Sequence, residues 1–127
     1  MVFCSSGWAA KTSCGEKSHF PEITKSELRA VALNKTSTAT IFDVNSKKVF
    51  DKNHVPNAIH FKTLKEQEDF EGQFTAKLPK NKSDLVVAYC GGPKCGAWLS
   101  AAEEACKRGY TNVKHFKGGI KGWLKKS

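Results

Sequence analysis

Apolar positions along this chain change their spacing several times, and each change marks an element. Thr38-Ala39-Thr40-Ile41-Phe42-Asp43-Val44 is rich in branched and aromatic residues and reads as a strand. Leu85-Val86-Val87-Ala88-Tyr89 is the most apolar run, the pattern of a central parallel strand covered on both faces. From Ala97 to Ala105 the period becomes helical, with Trp98, Ala101, Ala102 and Ala105 on one stripe, and Gly109 marks the end. Asn112-Val113-Lys114-His115-Phe116 predicts a last strand. Gly118-Gly119-Ile120-Lys121-Gly122-Trp123 then turns into a terminal helix that docks Ile120 and Trp123 on the core.

The first half carries weaker signals of the same kind. Thr24-Lys25-Ser26-Glu27 fits a capping box, and Leu28, Val31 and Ala32 give the short amphipathic helix behind it. A helical turn through Val49 and Phe50 leads to His54-Val55-Pro56-Asn57-Ala58-Ile59-His60-Phe61, a Pro-Asn turn entering a short strand. Lys62 to Lys77 alternates charges with Leu64, Phe70 and Phe74, as an exposed helix or a partly ordered connection does. Strand alternates with helix, so the expected class is α/β: about five parallel strands flanked by helices on both faces.

The ordered domain is expected over residues 21–127, preceded by a flexible segment over residues 1–20. Gly7-Trp8-Ala9-Ala10 resembles the small-residue end of an export signal, but a charged start and a full apolar core are missing. The compartment stays open between the cytoplasm and, if that segment is a trimmed signal remnant, export. No stretch approaches the roughly 18 apolar residues of a membrane helix.

Charge adds a surface. The net charge is +9, and from Ala105 onward Lys107, Arg108, Lys114, Lys117, Lys121, Lys125 and Lys126 occur with no acid. Such a face attracts anions or serves solubility alone. Nucleic acid is not the expected partner, because no aromatic stacking platform or recognition motif accompanies the charges.

Five cysteines, at 4, 14, 90, 95 and 106, form no paired zinc spacing and no small disulfide scaffold. Cys106 falls on the helix and reads as a small buried apolar residue, while Cys4 and Cys14 fall in the unstructured lead-in. Cys90 is different. It ends the central strand and opens Gly91-Gly92-Pro93-Lys94-Cys95, after which the helix begins. Loop amides and the positive end of a helix dipole stabilise a thiolate and lower its pKa.

Over about residues 22–124 the chain resembles the rhodanese family of sulfurtransferases. Asp43-Val44-Asn45, Phe50 and His54-Val55-Pro56-Asn57-Ala58 are similar to the family's Asp-Val-Arg, aromatic and Gly-His-Ile-Pro-Gly-Ala pattern. Tyr89-Cys90 with its loop to Cys95 is the second match. Gly109-Tyr110-Thr111-Asn112-Val113 with Gly118-Gly119-Ile120 and Trp123 is the third. Asn45 stands where the family usually has arginine, Asn53 and Asn57 replace glycines around His54, and no arginine follows Cys90. These departures bear on the preferred sulfur donor.

The resemblance implies a five-stranded single domain in which Cys90 takes a sulfane sulfur from thiosulfate, a polysulfide or a persulfide. The acceptor is a thiol, cyanide or a protein cysteine, and no cofactor or metal is called for. Gly91, Gly92, Lys94, Cys95 and Asn45 are the expected substrate-binding residues, with the amides of residues 91, 92, 94 and 95 as donors and Lys94 as the loop cation. His54 and Asp43 are expected to hold local structure. Cys95 either begins the helix or resolves an oxidised Cys90 into a disulfide. A thiol redox or polysulfide-carrier protein using Cys90 and Cys95 is the alternative function. A related phosphatase needs a longer loop closed by arginine, and position 96 is Gly96. A non-catalytic binding module has no use for Cys90.

Overall fold

The computed structural model describes residues 14–126. At its centre is β3 (Val86–Tyr89), buried throughout, with β1 (Thr40–Asp43) on one side and β4 (Val113–His115) on the other. β2 (Ile59–His60) pairs beyond β1. All pairs are parallel, and Ala88 stands level with Phe42 on one neighbour and His115 on the other. Side chains alternate between faces, as strand geometry requires. Phe42, Val86 and Ala88 join one core; Ile41, Val87 and Tyr89 join another.

Both faces are covered. α3 (Phe61–Lys65), α4 (Phe70–Lys77) and α5 (Trp98–Lys107) supply Phe61, Leu64, Phe74 and the Trp98 stripe to the first core. α1 (Lys25–Ala32) and α6 (Gly119–Leu124) supply Leu28, Ala32 and Ile120 to the second. α2 (Lys47–Lys52) buries none of its residues. The capping box forms on α1: Glu27 N–H donates to Thr24 Oγ1 at 3.1 Å, and Thr24 N–H to Glu27 Oε1 at 3.0 Å. The expected single element over Lys62–Lys77 is two helices, which bury Leu64 and Phe74.

Among the described residues the sheet has four strands rather than five. The fifth position is a single parallel bridge of Glu22 to His115, on the edge beyond β4. Two hydrogen bonds exhaust it, His115 N–H to the Pro21 carbonyl and Ile23 N–H to the His115 carbonyl. Pro21 has no N–H to extend the ladder, and Thr24 already caps α1, so the chain leaves the edge at once.

Part of the lead-in is also more ordered than expected. Lys17–His19 makes one 3-10 turn, and Phe20 is buried edge-on to Trp98, ring centres 6.0 Å apart. Cys14 is disulfide-bonded to Cys106, with Cα atoms 5.8 Å apart, so Cys106 is a covalent anchor rather than an apolar filler. Cys4 and the signal-like residues 7–10 lie outside the described residues. Among the described residues no helix is long and apolar enough to cross a membrane.

Candidate active site

Cys90 follows β3 directly and is 2% exposed. Its carbonyl accepts from Ile120 N–H at 2.9 Å, and the Gly91 carbonyl from Lys121 N–H at 3.0 Å. The first turn of α6 therefore clips the loop from below. Gly119 makes that approach possible. It has φ +63°, and a Cβ there would lie 2.5 Å from the Cys90 oxygen and 2.6 Å from the Gly91 carbonyl carbon. Only glycine fits both the conformation and the space.

Gly91, Gly92, Pro93, Lys94 and Cys95 wall a cavity of about 470 Å³, closed by Lys121. Lys121, one of the basic residues after Ala105, is a second cation at the loop cavity. Its position two residues after Gly119 carries it to the loop, so Lys94 does not act alone. Cys90 and Cys95 are joined as a disulfide with Cα atoms 6.3 Å apart. Of the four expected amide donors, that of Cys95 is already used, donating to the Gly92 carbonyl at 3.0 Å. Among the described residues the amides of Gly91, Gly92 and Lys94 make no hydrogen bond. α5 starts just beyond; its cap residue Ala97 offers no side-chain acceptor, and the Leu99 and Ser100 amides donate to the Gly96 and Ala97 carbonyls at 3.1 Å, so the helix acts on the loop through the positive end of its dipole.

A polar network braces the strand ends. Asp43 is fully buried; its Oδ1 accepts from Asn45 N–H at 2.8 Å and its Oδ2 from the Tyr89 hydroxyl at 2.6 Å. That hydroxyl in turn accepts from Val55 N–H at 3.0 Å. Burial, then the hydrogen bond to the Asp43 carboxylate, pushes the Tyr89 hydroxyl above the ordinary phenol range. Asn45, 8% exposed, underlies the loop: a Cβ on Gly91 would lie 3.5 Å from its Oδ1, and its buried Nδ2 has no partner among the described residues. It lies against the loop backbone rather than lining the cavity.

The Asn45 carbonyl accepts from His60 Nε2–H at 2.7 Å, and His60 Nδ1 accepts from the Thr63 hydroxyl at 2.7 Å. His60 and Tyr89 tie the strand ends together through Asn45, Asp43 and Val55, partners 15, 46 and 34 residues away that no local pattern announces. His54 is exposed, stacked on Phe50 at 3.9 Å with Nδ1 2.7 Å from the Phe50 carbonyl. It holds the turn. Asn57, at φ 69°, takes the left-handed conformation that asparagine tolerates in place of glycine.

A family description of the rhodanese-like domain matches residues 24–126. The human thiosulfate:glutathione sulfurtransferase is 27% identical over 113 residues, 84% of this chain and 95% of the relative. The thiosulfate sulfurtransferase GlpE of Coxiella burnetii is 30% identical over 98 residues, 77% of this chain and 83% of the relative. The solved structure of the human single-domain sulfurtransferase TSTD1 matches with a TM-score of 0.59 at 28% identity, covering 84% of this chain and 97% of that one. The matched span takes in the whole sheet, the cysteine loop and the helix that clips it, and the chain belongs to the rhodanese-like domain family.

Proposed function

We propose that the protein is a sulfurtransferase that carries a sulfane sulfur on Cys90. The observation that carries this reading is the seat of Cys90 itself: a cysteine at the carboxyl end of the central strand, followed by a loop whose Gly91, Gly92 and Lys94 amides are unused and then by the start of α5. In the dithiol form the Cys90 thiolate attacks the outer sulfur of thiosulfate. The sulfur–sulfur bond breaks, sulfite leaves with the electron pair, and a persulfide remains on Cys90. A thiol, cyanide or a protein cysteine then takes the outer sulfur and returns Cys90 as thiolate.

The amides of Gly91, Gly92 and Lys94 stabilise the anionic forms of both states. Lys94 and Lys121 at the cavity favour an anionic donor. The human and Coxiella relatives both carry thiosulfate in their names, which supports thiosulfate as a donor here. The Cys90–Cys95 bond favours a second reading, a thiol redox or polysulfide-carrier protein that cycles between dithiol and disulfide.

Mass spectrometry of the reduced chain after incubation with thiosulfate separates the two. A gain of one sulfur atom on the Cys90 peptide, absent in Cys90→Ser, is the expected result. An unmodified Cys90 that only closes and opens with Cys95 overturns the sulfurtransferase reading in favour of the second.

A further inference from the structure

A second cavity, of about 430 Å³, shares Pro93 and Cys95 with the loop cavity but is otherwise built from the lead-in, the sheet edge and α5. Phe20, Pro21 and Trp98 give it an apolar lining; Lys17, Lys117, Glu22 and His115 give it charge and polarity. His115 is 9% exposed, its ring stacked on Trp98 at 3.9 Å, and its buried Nδ1 has no partner among the described residues. With nothing for Nδ1–H to donate to, the neutral ring keeps its proton on Nε2. Lys17 reaches the residue after Cys95: a Cβ on Gly96 would lie 2.9 Å from its Nζ. Two ammonium groups against one carboxylate leave the cavity cationic beside a sulfur atom.

We propose that this cavity binds a small thiol carrying a carboxylate and presents its sulfur to Cys95. The volume suits a molecule of that size. The carboxylate pairs with Lys17 and Lys117, and the thiol's carbon chain lies on Phe20 and Trp98. The incoming thiolate attacks Cys95 Sγ, because Cys95 lines the cavity whereas Cys90 is buried and does not. A new bond forms between the thiol sulfur and Cys95, the Cys90–Cys95 bond breaks, and Cys90 leaves as thiolate. A second molecule of the same thiol attacks the mixed disulfide, releasing Cys95 as thiolate and the oxidised thiol dimer. This deepens the sulfurtransferase reading by giving the thiol a route to the site, and it rests on that reading only for the purpose of the freed Cys90.

The test uses the full chain oxidised with diamide, with mercaptoacetate as the anionic probe and mercaptoethanol as the neutral one. Opening of the Cys90–Cys95 bond is followed by alkylation and peptide mass spectrometry. Each rate is divided by that of the same thiol on a small reference disulfide. We expect a normalised preference of about tenfold for mercaptoacetate, falling to near one in Lys17→Gln/Lys117→Gln, since each exposed ion pair is worth at most about fivefold. Equal normalised rates in the native chain, an undiminished preference in the double variant, or failure of the bond to form overturns the proposal. A chain that takes no sulfur from thiosulfate yet keeps the lysine-dependent preference leaves this cavity standing and sinks the sulfurtransferase reading alone.

Discussion

Gly119 lies so close to Cys90 that any Cβ at position 119 would meet the Cys90 carbonyl oxygen at 2.5 Å. The terminal helix and the cysteine loop are therefore one packed unit. Gly119→Ala combines left-handed strain with a backbone clash and should cost roughly 2–4 kcal/mol. Denaturant unfolding measures the loss. Thiosulfate-dependent sulfur uptake by Cys90 should fall with it, because relief of the clash moves the loop. Unchanged stability would show that α6 shifts freely.

Tyr89→Phe tests the brace under the site. The change leaves Val55 N–H without its acceptor and one Asp43 oxygen without its donor, both buried. Leaving such groups unpaired costs about 2–3 kcal/mol. The midpoint of urea unfolding should drop accordingly with its slope unchanged; a neutral result would mean that water takes the place of the hydroxyl.

Donor binding should depend on salt. Asn45 is neutral and lies against the loop backbone, so attraction of thiosulfate falls to Lys94, Lys121 and the wider basic surface. Screening contracts to roughly 8 Å at physiological ionic strength. The apparent Michaelis constant for thiosulfate should rise steadily with added neutral salt. A tight, salt-independent constant would reveal a specific anion pocket.

Cys95 should protect Cys90. Once peroxide converts Cys90 to a sulfenate, attack by Cys95 expels hydroxide and closes a disulfide that a thiol reopens. In Cys95→Ser the sulfenate has no partner and proceeds to the sulfinate. Relative to its own starting activity, that variant should lose function faster under peroxide, and reductant should restore little. Equal rates and equal rescue would reduce Cys95 to a helix-starting residue.

Acid should weaken the fold through His115. Burial holds its pKa below the ordinary 6.5, against the pull of Glu22 and with Lys117 and Lys17 assisting. The neutral ring is the form that the fold accepts. Its stability contribution is complete above pH 6.5 and is lost as pH falls below it, where the unfolded chain takes up a proton that the folded chain resists. Thermal midpoints should decline between pH 7 and 5, and His115→Asn should flatten that decline.

The central strand, the capping box, the left-over turn at Asn57 and the cysteine loop were legible because each is written in neighbouring residues. Val86 to Tyr89 needs no partner to announce a buried parallel strand. The fifth strand was overcounted because Pro21 and the cap at Thr24 act from its two sides to stop it after one bridge. Lys121, His60 and the Cys14–Cys106 bond were not legible. Each depends on where a distant segment arrives, and sequence period carries no such information. Cys106 in particular has the spacing of a core residue on α5, and nothing near it marks a partner 92 residues away.

That bond closes most of the molecule into a covalent ring. β1, β2, β3 and the cysteine loop all lie within it, whereas β4 and α6 hang outside as a tail. A protease that nicks an exposed turn anywhere in the ring leaves a single particle on a non-reducing gel. A nick between Cys106 and Gly119 instead severs the helix that clips Cys90, so the same chain is forgiving of damage across most of its length and vulnerable in one short stretch.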